Sequence, residues 1–351
     1  MVAFGRRGII LYLYWTAREY RDLMSLRRGF GIRDEWPAPR TLPTLIGRYD
    51  LCLLKLPPDL LRLSVRRDLS ASSGEGEVVG VTRRLTVGCE FVHESEIDVH
   101  AVFQVEPLSD QKVDVIDARW SLEPDGPTHA YTDLYGNPCR RLILPAGRSV
   151  IRYQATVIAP DSVEDVDEEA PELTPDQLPD EALIYILPSR FCLPDVLGAE
   201  AWDRFGNTPP GYRRVQAICD YVHDHLQFQY GASNPWTTAA DVHTSGYGVC
   251  RDFTHLAVSF CRALNIPARY VFGYLPEIDI LPRDLPMDFA AWMEVYLGDR
   301  WWTFDPRNNE RRKGRVLIGR GRDASDVAMA TTFGAPRLES MIVISEEDAE
   351  G

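Results

Sequence analysis

Two stretches in the first half of the chain alternate apolar and polar side chains, a pattern that predicts β-strands. They are RLTVGCEFVHESEIDVHAVFQVEP at 84–107 and RRLILPAGRSVIRYQATVIAP at 140–160, and the second contains a Pro-Ala-Gly turn. Between them, YTDLYGNPCRRL has the Tyr-Gly-Asn-Pro composition of a turn. Residues 84–160 are therefore predicted to form a small antiparallel β-sandwich domain.

Apolar residues recur at helical spacing in the second half of the chain. TPPGYRRVQAICDYVHDHLQF predicts one helix, with Thr208 as its N-cap. A second helix is predicted to begin at or near Cys250, after a turn made by Gly246 and Gly248. Its buried stripe is expected to be Phe253, Leu256, Ala257, Phe260, Cys261 and Leu264. A strand, ARYVFGYL, follows it.

The segments AAWMEVYL and RWWTFDP predict two further strands. The turn Gly298-Asp299 joins them into a hairpin, and the second strand ends at an acidic residue, Asp305. The fold class predicted from all these elements is α+β: a helix bearing Cys250 packed on an antiparallel sheet, preceded by the β-sandwich.

Two segments show neither the alternation of a β-strand nor the spacing of a helix clearly. Residues 1–83 are interpreted as an N-terminal extension of uncertain order. Residues 162–182 hold nine acidic residues and three prolines, which is typical of a solvated spacer. The predicted organisation is therefore extension 1–83, β-sandwich 84–160, acidic linker 161–183 and catalytic domain 184–345.

Composition narrows the classes of function. The chain has 351 residues, 45% of them hydrophobic, so it is long enough to bury a sizeable core. Its net charge of -14 argues against nucleic-acid partners and against attraction to an anionic membrane. Its longest apolar run, GIILYLYW, is far shorter than a membrane span and lacks a signal-peptide cleavage pattern. We expect a cytoplasmic protein.

The seven cysteines are scattered, and no CxxC pair occurs among them. This distribution does not favour a zinc ribbon or a disulfide framework, so we predict free thiols in a reducing compartment. No metal or cofactor is predicted, because the histidine and cysteine spacings do not build a zinc site and no acidic calcium loop is evident.

Cys250 is the strongest candidate for chemistry. Backbone N–H groups at a helix start favour a thiolate and can also receive the oxyanion of an acyl intermediate. A small residue at a helix start is the plainer alternative. The hairpin favours the catalytic interpretation, since a cysteine on a helix, a base on a following strand and an acid on the next strand form a Cys-His-Asp relay. Here the base is missing.

Residues 246–309 resemble the transglutaminase-like superfamily, the papain-like group that contains transglutaminases, bacterial cysteine proteases and peptide N-glycanases. The motifs are GYGVCRDFTHLAVSFCRALNIPARYVFGY, MDFAAWMEVYLGDRWWTFDPRNN and the downstream GRVLIGRGRDASDVAMATTFG. With the β-rich segment before them, they are similar to bacterial members that have an N-terminal β domain. The resemblance covers roughly residues 84–345.

The resemblance implies a catalytic role for three positions. Cys250 would be the nucleophile and Asp305 the orienting acid. The family histidine, in the pattern D-F-H-A-W, falls on Ala290 in DFAAW. The implied activity is acyl transfer from an amide or isopeptide bond of a peptide or protein to water or an amine, and we favour hydrolysis. A methyl group cannot move a proton, so this chain is predicted to be impaired.

Other residues are weaker candidates for the cleft. His255 lies five positions after Cys250, about 140° round the helix axis, and is not expected to face the thiol. His243 could approach the cleft or could be an exposed loop residue. Trp236, Trp292 and Tyr230 are candidates for substrate binding, although tryptophans in strands usually belong to a core.

Two explanations of Ala290 are open. The chain is either an engineered knockout of a working enzyme or a natural pseudoenzyme that binds peptides without catalysis. We favour the first, because the cysteine and the aspartate of the pattern are both retained.

Overall fold

The computed structural model describes residues 81–109, 113–281 and 285–348 with their side chains, and the backbone of residues 10–12. Most of the predicted extension 1–83 lies outside the described residues. Strand β1, Ile10–Tyr12, pairs with residues 330–332.

The β-rich region holds six strands in the part of the chain described. They are β2 Thr82–Ser95, β3 Val99–Phe103, β4 Asp114–Glu123, β5 His129–Thr132, β6 Pro138–Leu144 and β7 Gly147–Pro160. Alternate residues of β7 are buried, as the pattern predicted, because successive side chains of a strand point to opposite faces.

Two strands from the C-terminal end complete this region. Strand β14, Ala330–Thr332, joins a sheet of order β1-β14-β3-β6-β5, and β15, Arg337–Glu347, joins a sheet of order β15-β2-β7-β4. Both sheets are antiparallel. The β-rich region is therefore built from both ends of the described chain, and the domain boundaries drawn at 160 and 183 stay a prediction.

The region between these strands is mixed. Its helices are α1 Asp180–Leu183, α2 Pro194–Phe205, α3 Tyr212–His225, α4 Ala239–Ser245 and α5 Cys250–Ala263. Its strands are β8 Gln227–Phe228, β9 Tyr247–Gly248, β10 Ala268–Tyr274, β11 Ala290–Leu297, β12 Arg300–Phe304 and β13 Val316–Gly321, with a sheet of order β12-β11-β10-β13. The predicted α+β class is confirmed, and so is the hairpin, formed by β11 and β12.

Helix α5 is the centre of this region. It packs on α2, α3 and α4 and on strands β10 and β11. All six residues of its predicted stripe are buried, and they join one apolar cluster with residues of the surrounding helices and of β11 and β12. Burial on every side holds α5 rigidly, which fixes the position of its first residue, Cys250.

The start of α3 differs from the prediction. The helix begins at Tyr212 with Gly211 as N-cap, so the prediction that Thr208 caps it is wrong. Gly211 has a φ of 90°, a conformation that favours glycine, and the Tyr212 amide donates to the Ala170 carbonyl at 3.1 Å. This contact with the acidic segment accompanies an N-cap at Gly211, three residues after the predicted Thr208.

The acidic segment 162–182 lies against the mixed region at several points. Ala170 is buried, and Glu164 and Glu172 form ion pairs with Arg315 and Arg214. The carboxylates of this segment are therefore partly used as structural partners of arginines, not only as solvated charges.

No helix in the described part of the chain is long and apolar enough to cross a membrane.

Candidate functional site

The turn before α5 places Cys250 at the helix start, as predicted. Gly246 ends α4 in the left-handed conformation, with a φ of 75°. Gly248 leaves room for Asp252, because a Cβ at 248 would lie 2.8 Å from the Cβ of Asp252. The Asp252 carboxylate accepts the Val249 amide at 2.9 Å and two N–H groups of Arg251. These contacts fix the backbone on both sides of the cysteine.

The Cys250 thiol faces the strand that carries position 290. Its Sγ donates to the Phe289 carbonyl at 3.9 Å, and the residue is 4% exposed. Cys250 and Ala290 line the same cavity, which has a volume of about 60 Å³. The sulfur is thus mostly covered by protein but opens onto a space shared with position 290.

Ala290 is the first residue of β11 and is 8% exposed. Its methyl group packs with Trp292, Leu275 and Leu317. A methyl group neither accepts nor donates a proton, so nothing at this position can act as a base.

Asp305 follows β12 directly and is 7% exposed. Its Oδ1 accepts the amides of Arg307 and Asn308 at 3.1 and 2.9 Å, and its Oδ2 accepts the Asn308 side-chain amide at 2.7 Å and Arg315 Nη2 at 2.8 Å. Burial disfavours the charge, but Arg315 and Asn308 hold the pKa of this carboxyl below its usual range. The acid is therefore ionised at neutral pH.

Asp305 does not line the cavity shared by Cys250 and Ala290. Arg315 joins the two parts of the site, because it binds Asp305 and its guanidinium lies 4.9 Å from the centre of the Trp292 ring. Trp292 is two residues beyond Ala290 and therefore shares its face of β11. Asp305 thus approaches the face of the sheet that carries position 290.

The three aromatic candidates lie in different surroundings. Tyr230 lines the cavity, where its ring contacts Phe228 edge to face. Trp292 is 2% exposed behind Ala290, and Trp236 is 54% exposed on a loop that does not line this cavity. Of the three, the structure brings only Tyr230 to the space beside the thiol.

Neither nearby histidine occupies the place of the missing base. His255 is fully buried, and its Nε2 accepts the Ala324 amide at 3.1 Å. His243 Nε2 contacts Glu200 at 2.8 Å. Neither residue lines the cavity at Cys250.

Several residues of the site are not predicted by any motif or spacing in the sequence. Phe228, Met287 and Arg307 line the cavity, and Arg315 binds the buried acid. They come from distant loops and strand ends, so no spacing rule connects them to Cys250. Among the described residues, no group of three or more His, Cys, Asp or Glu side chains could hold a metal ion. That no cofactor takes part stays a prediction.

Comparison with known proteins matches this region to one family. Residues 201–306 match the model of the transglutaminase-like superfamily. A solved structure titled a "putative cysteine protease" from Cytophaga hutchinsonii is similar at a TM-score of 0.70 and 29% identity, over 77% of this chain and 93% of that one. The predicted resemblance is confirmed.

Two mycobacterial proteins are similar in sequence. An uncharacterized protein of Mycobacterium leprae is 25% identical over 230 residues, which are 63% of this chain and 81% of that protein. An uncharacterized protein of Mycobacterium bovis is 26% identical over 144 residues, and the match spans 38% of this chain and 43% of that protein.

Proposed function

Residues 201–306 form a transglutaminase-like domain, and on this basis we propose that the cavity at Cys250 is the acyl-transfer site of a cysteine hydrolase or acyltransferase. Its substrate is an amide or isopeptide bond of a peptide or protein. The chain in its present form lacks the base that the reaction needs, because position 290 is alanine.

The reaction assigns one step to each group. The Cys250 thiolate attacks the amide carbonyl, a tetrahedral oxyanion forms near the start of α5, and the amine leaves with a proton. Water or a second amine then attacks the thioester, which releases the acyl product as an acid or a new amide and regenerates the free thiol of Cys250. An imidazole at position 290, oriented by Asp305, would accept the thiol proton and deliver it to the amine. The methyl group of Ala290 performs neither transfer.

One observation carries the proposal. The thiol at the start of α5 and the side chain of Ala290 open onto the same cavity, and the thiol lies 3.9 Å from the carbonyl of the residue just before position 290. Position 290 and the sulfur therefore border one common space.

The experiment is the variant Ala290→His, assayed with peptide aryl-amides. We expect its turnover to exceed that of the present chain by about 10⁴-fold or more, the scale on which losing a triad member lowers turnover. The double variant Ala290→His/Cys250→Ser is the matched control and should return to the background rate. A variant that folds but shows no gain contradicts the proposal.

A second candidate function is peptide binding without catalysis. It is favoured by the full set of partners of Asp305, whose two oxygens already accept four hydrogen bonds without a histidine. The rate at which iodoacetamide labels Cys250 at neutral pH separates the two functions. Fast labelling supports the acyl-transfer site, and an inert thiol supports the binding protein.

The proposal includes a cytoplasmic location. The six described cysteines, Cys89, Cys139, Cys192, Cys219, Cys250 and Cys261, are buried free thiols, the form that a reducing compartment maintains.

A further inference from the structure

Arg307 stands at the cavity beside the thiol. It lies in the turn after Asp305, where its amide donates to Asp305 Oδ1 at 3.1 Å and its carbonyl accepts His223 Nδ1 at 2.9 Å. Its guanidinium lies over the Phe228 ring, 4.1 Å from the ring centre. Arg307, Phe228 and Cys250 line the same cavity. The backbone and the ring thus hold the guanidinium at the mouth of the site.

Arg315 and Arg300 each form an ion pair with a carboxylate, whereas the Arg307 guanidinium has no carboxylate partner among the described residues. Arg315 binds Glu164 and Asp305, and Arg300, which also stacks on a ring, pairs with Asp165. Within residues 81–109, 113–281 and 285–348, no carboxylate lies within 4.0 Å of the Arg307 guanidinium, and no side chain or carbonyl accepts a hydrogen bond from it. Among the described residues, nothing occupies the N–H edge of this guanidinium, which faces the cavity lining.

We propose that Arg307 is a specificity-determining residue that binds a carboxylate of the substrate. A guanidinium stacked on a ring keeps its N–H edge free, and that edge matches a carboxylate with two parallel hydrogen bonds. The substrates are therefore peptides with a carboxylate next to the amide attacked at Cys250, as an acidic side chain or as a chain terminus. This inference rests on the proposed acyl-transfer site.

Other charges around the cavity bear on this assignment. Arg312 adds a second positive charge, whereas Glu277 and Asp288 add two negative ones, so the lining is formally neutral. The Oδ1 of Asp288 accepts the Phe289 amide at 2.8 Å. Because these charges balance, we assign the preference for an anion to the N–H edge of Arg307 and not to a general positive field, and we expect removal of Arg307 to abolish it.

The test compares two alkylating reagents of similar shape on Cys250. Iodoacetate carries a carboxylate and iodoacetamide a neutral amide, and both attack the same sulfur. The ratio of their rates therefore cancels the reactivity of the thiol. We expect Arg307→Gln to lower the iodoacetate to iodoacetamide ratio about 10-fold, and Arg307→Lys to restore part of it. Arg300→Gln is the matched control, a ring-stacked arginine outside the cavity, and should leave the ratio unchanged.

Peptide mapping of the labelled residue makes the outcomes distinguishable. If Cys250 is labelled with the same ratio in the parent and in Arg307→Gln, the carboxylate assignment is overturned and the acyl-transfer site stands. If neither reagent labels Cys250 in the folded protein, the carboxylate assignment and the acyl-transfer site are both overturned. In the Ala290→His background, two peptide substrates identify which carboxylate is bound: a glutamyl peptide with an amidated C-terminus and a neutral peptide with a free C-terminal carboxylate. A third peptide has no carboxylate at either place. If this third peptide is hydrolysed as fast as the other two, the inference is overturned.

Discussion

Two buried aspartates, Asp305 and Asp323, have similar environments and different places in the molecule. Asp305 accepts hydrogen bonds from Asn308, Arg315 and a turn, whereas Asp323 accepts the Phe191 amide at 2.8 Å and both donors of Ser325. In each, burial opposes the charge, but neighbouring groups hold the pKa of the carboxyl below its usual range.

The difference between them lies in the histidine and in the cavity. Asp323 is close to His255 in a sealed core, where His255 stacks on Phe191. Asp305 approaches a strand face that opens onto a cavity at Cys250, and the position expected to hold a histidine is Ala290. Asp323 and His255 therefore lie together in the buried core. Asp305 lies near the cavity at Cys250, but among the described residues no histidine accompanies it there.

The largest expected effect tests whether Asp305 belongs to the chemistry. In the Ala290→His background, Asp305→Asn should lower kcat/KM by about 10⁴-fold, because the amide no longer orients and stabilises the charged imidazole. The assay is hydrolysis of a peptide aryl-amide, with urea unfolding as a check on folding. A folded double variant with undiminished kcat/KM would place Asp305 outside the reaction.

A smaller effect is expected from the structural acid. Asp323→Ala leaves one buried donor, the Phe191 amide, and two partly buried donors of Ser325 without their acceptor, so the free energy of unfolding should fall by about 3 kcal/mol. Asp326→Ala, which breaks the partly exposed pair with Arg322, is the control, with an expected loss of about 1 kcal/mol. Both are measured by urea denaturation. Equal losses in the two variants would refute the structural role.

The smallest effect concerns the pH dependence that the buried histidine brings. Burial lowers the pKa of His255 to about 3, so below pH 6.5 the unfolded chain takes up a proton that the folded chain does not. The free energy of unfolding should therefore fall as the pH drops from 6.5 to 5, by about 2 kcal/mol more in the parent than in His255→Gln. Chemical denaturation at several pH values measures this. His93, whose pKa burial lowers to about 4, is present in both proteins, so the difference isolates His255.

Local structure was predictable from the sequence wherever burial follows a short period. The six-residue stripe of α5, the start of that helix at Cys250 and the hairpin that ends before Asp305 are in the structure as expected. These features depend on residues a few positions apart, so a hydrophobic pattern reports them directly.

Long-range pairing was not predictable in this way. No pattern in 330–347 shows that these residues pair with β2 and β3, and none connects Arg315 to Asp305 or Arg307 to the cavity. The segment GRGRD at 319–323 ends in the buried Asp323, whose carboxylate accepts the Phe191 amide 132 positions away in the sequence. Periodicity shows which side of an element is buried, but not what buries it.

The most direct test of the central claim, that the Cys250 thiol and position 290 share one reactive cavity, is mass spectrometry of acid-quenched Ala290→His after brief exposure to a peptide ester. We expect a mass increase equal to one acyl group, mapped to Cys250 and absent from Ala290→His/Cys250→Ser. An unmodified Cys250, or an acyl group on another residue, would contradict it.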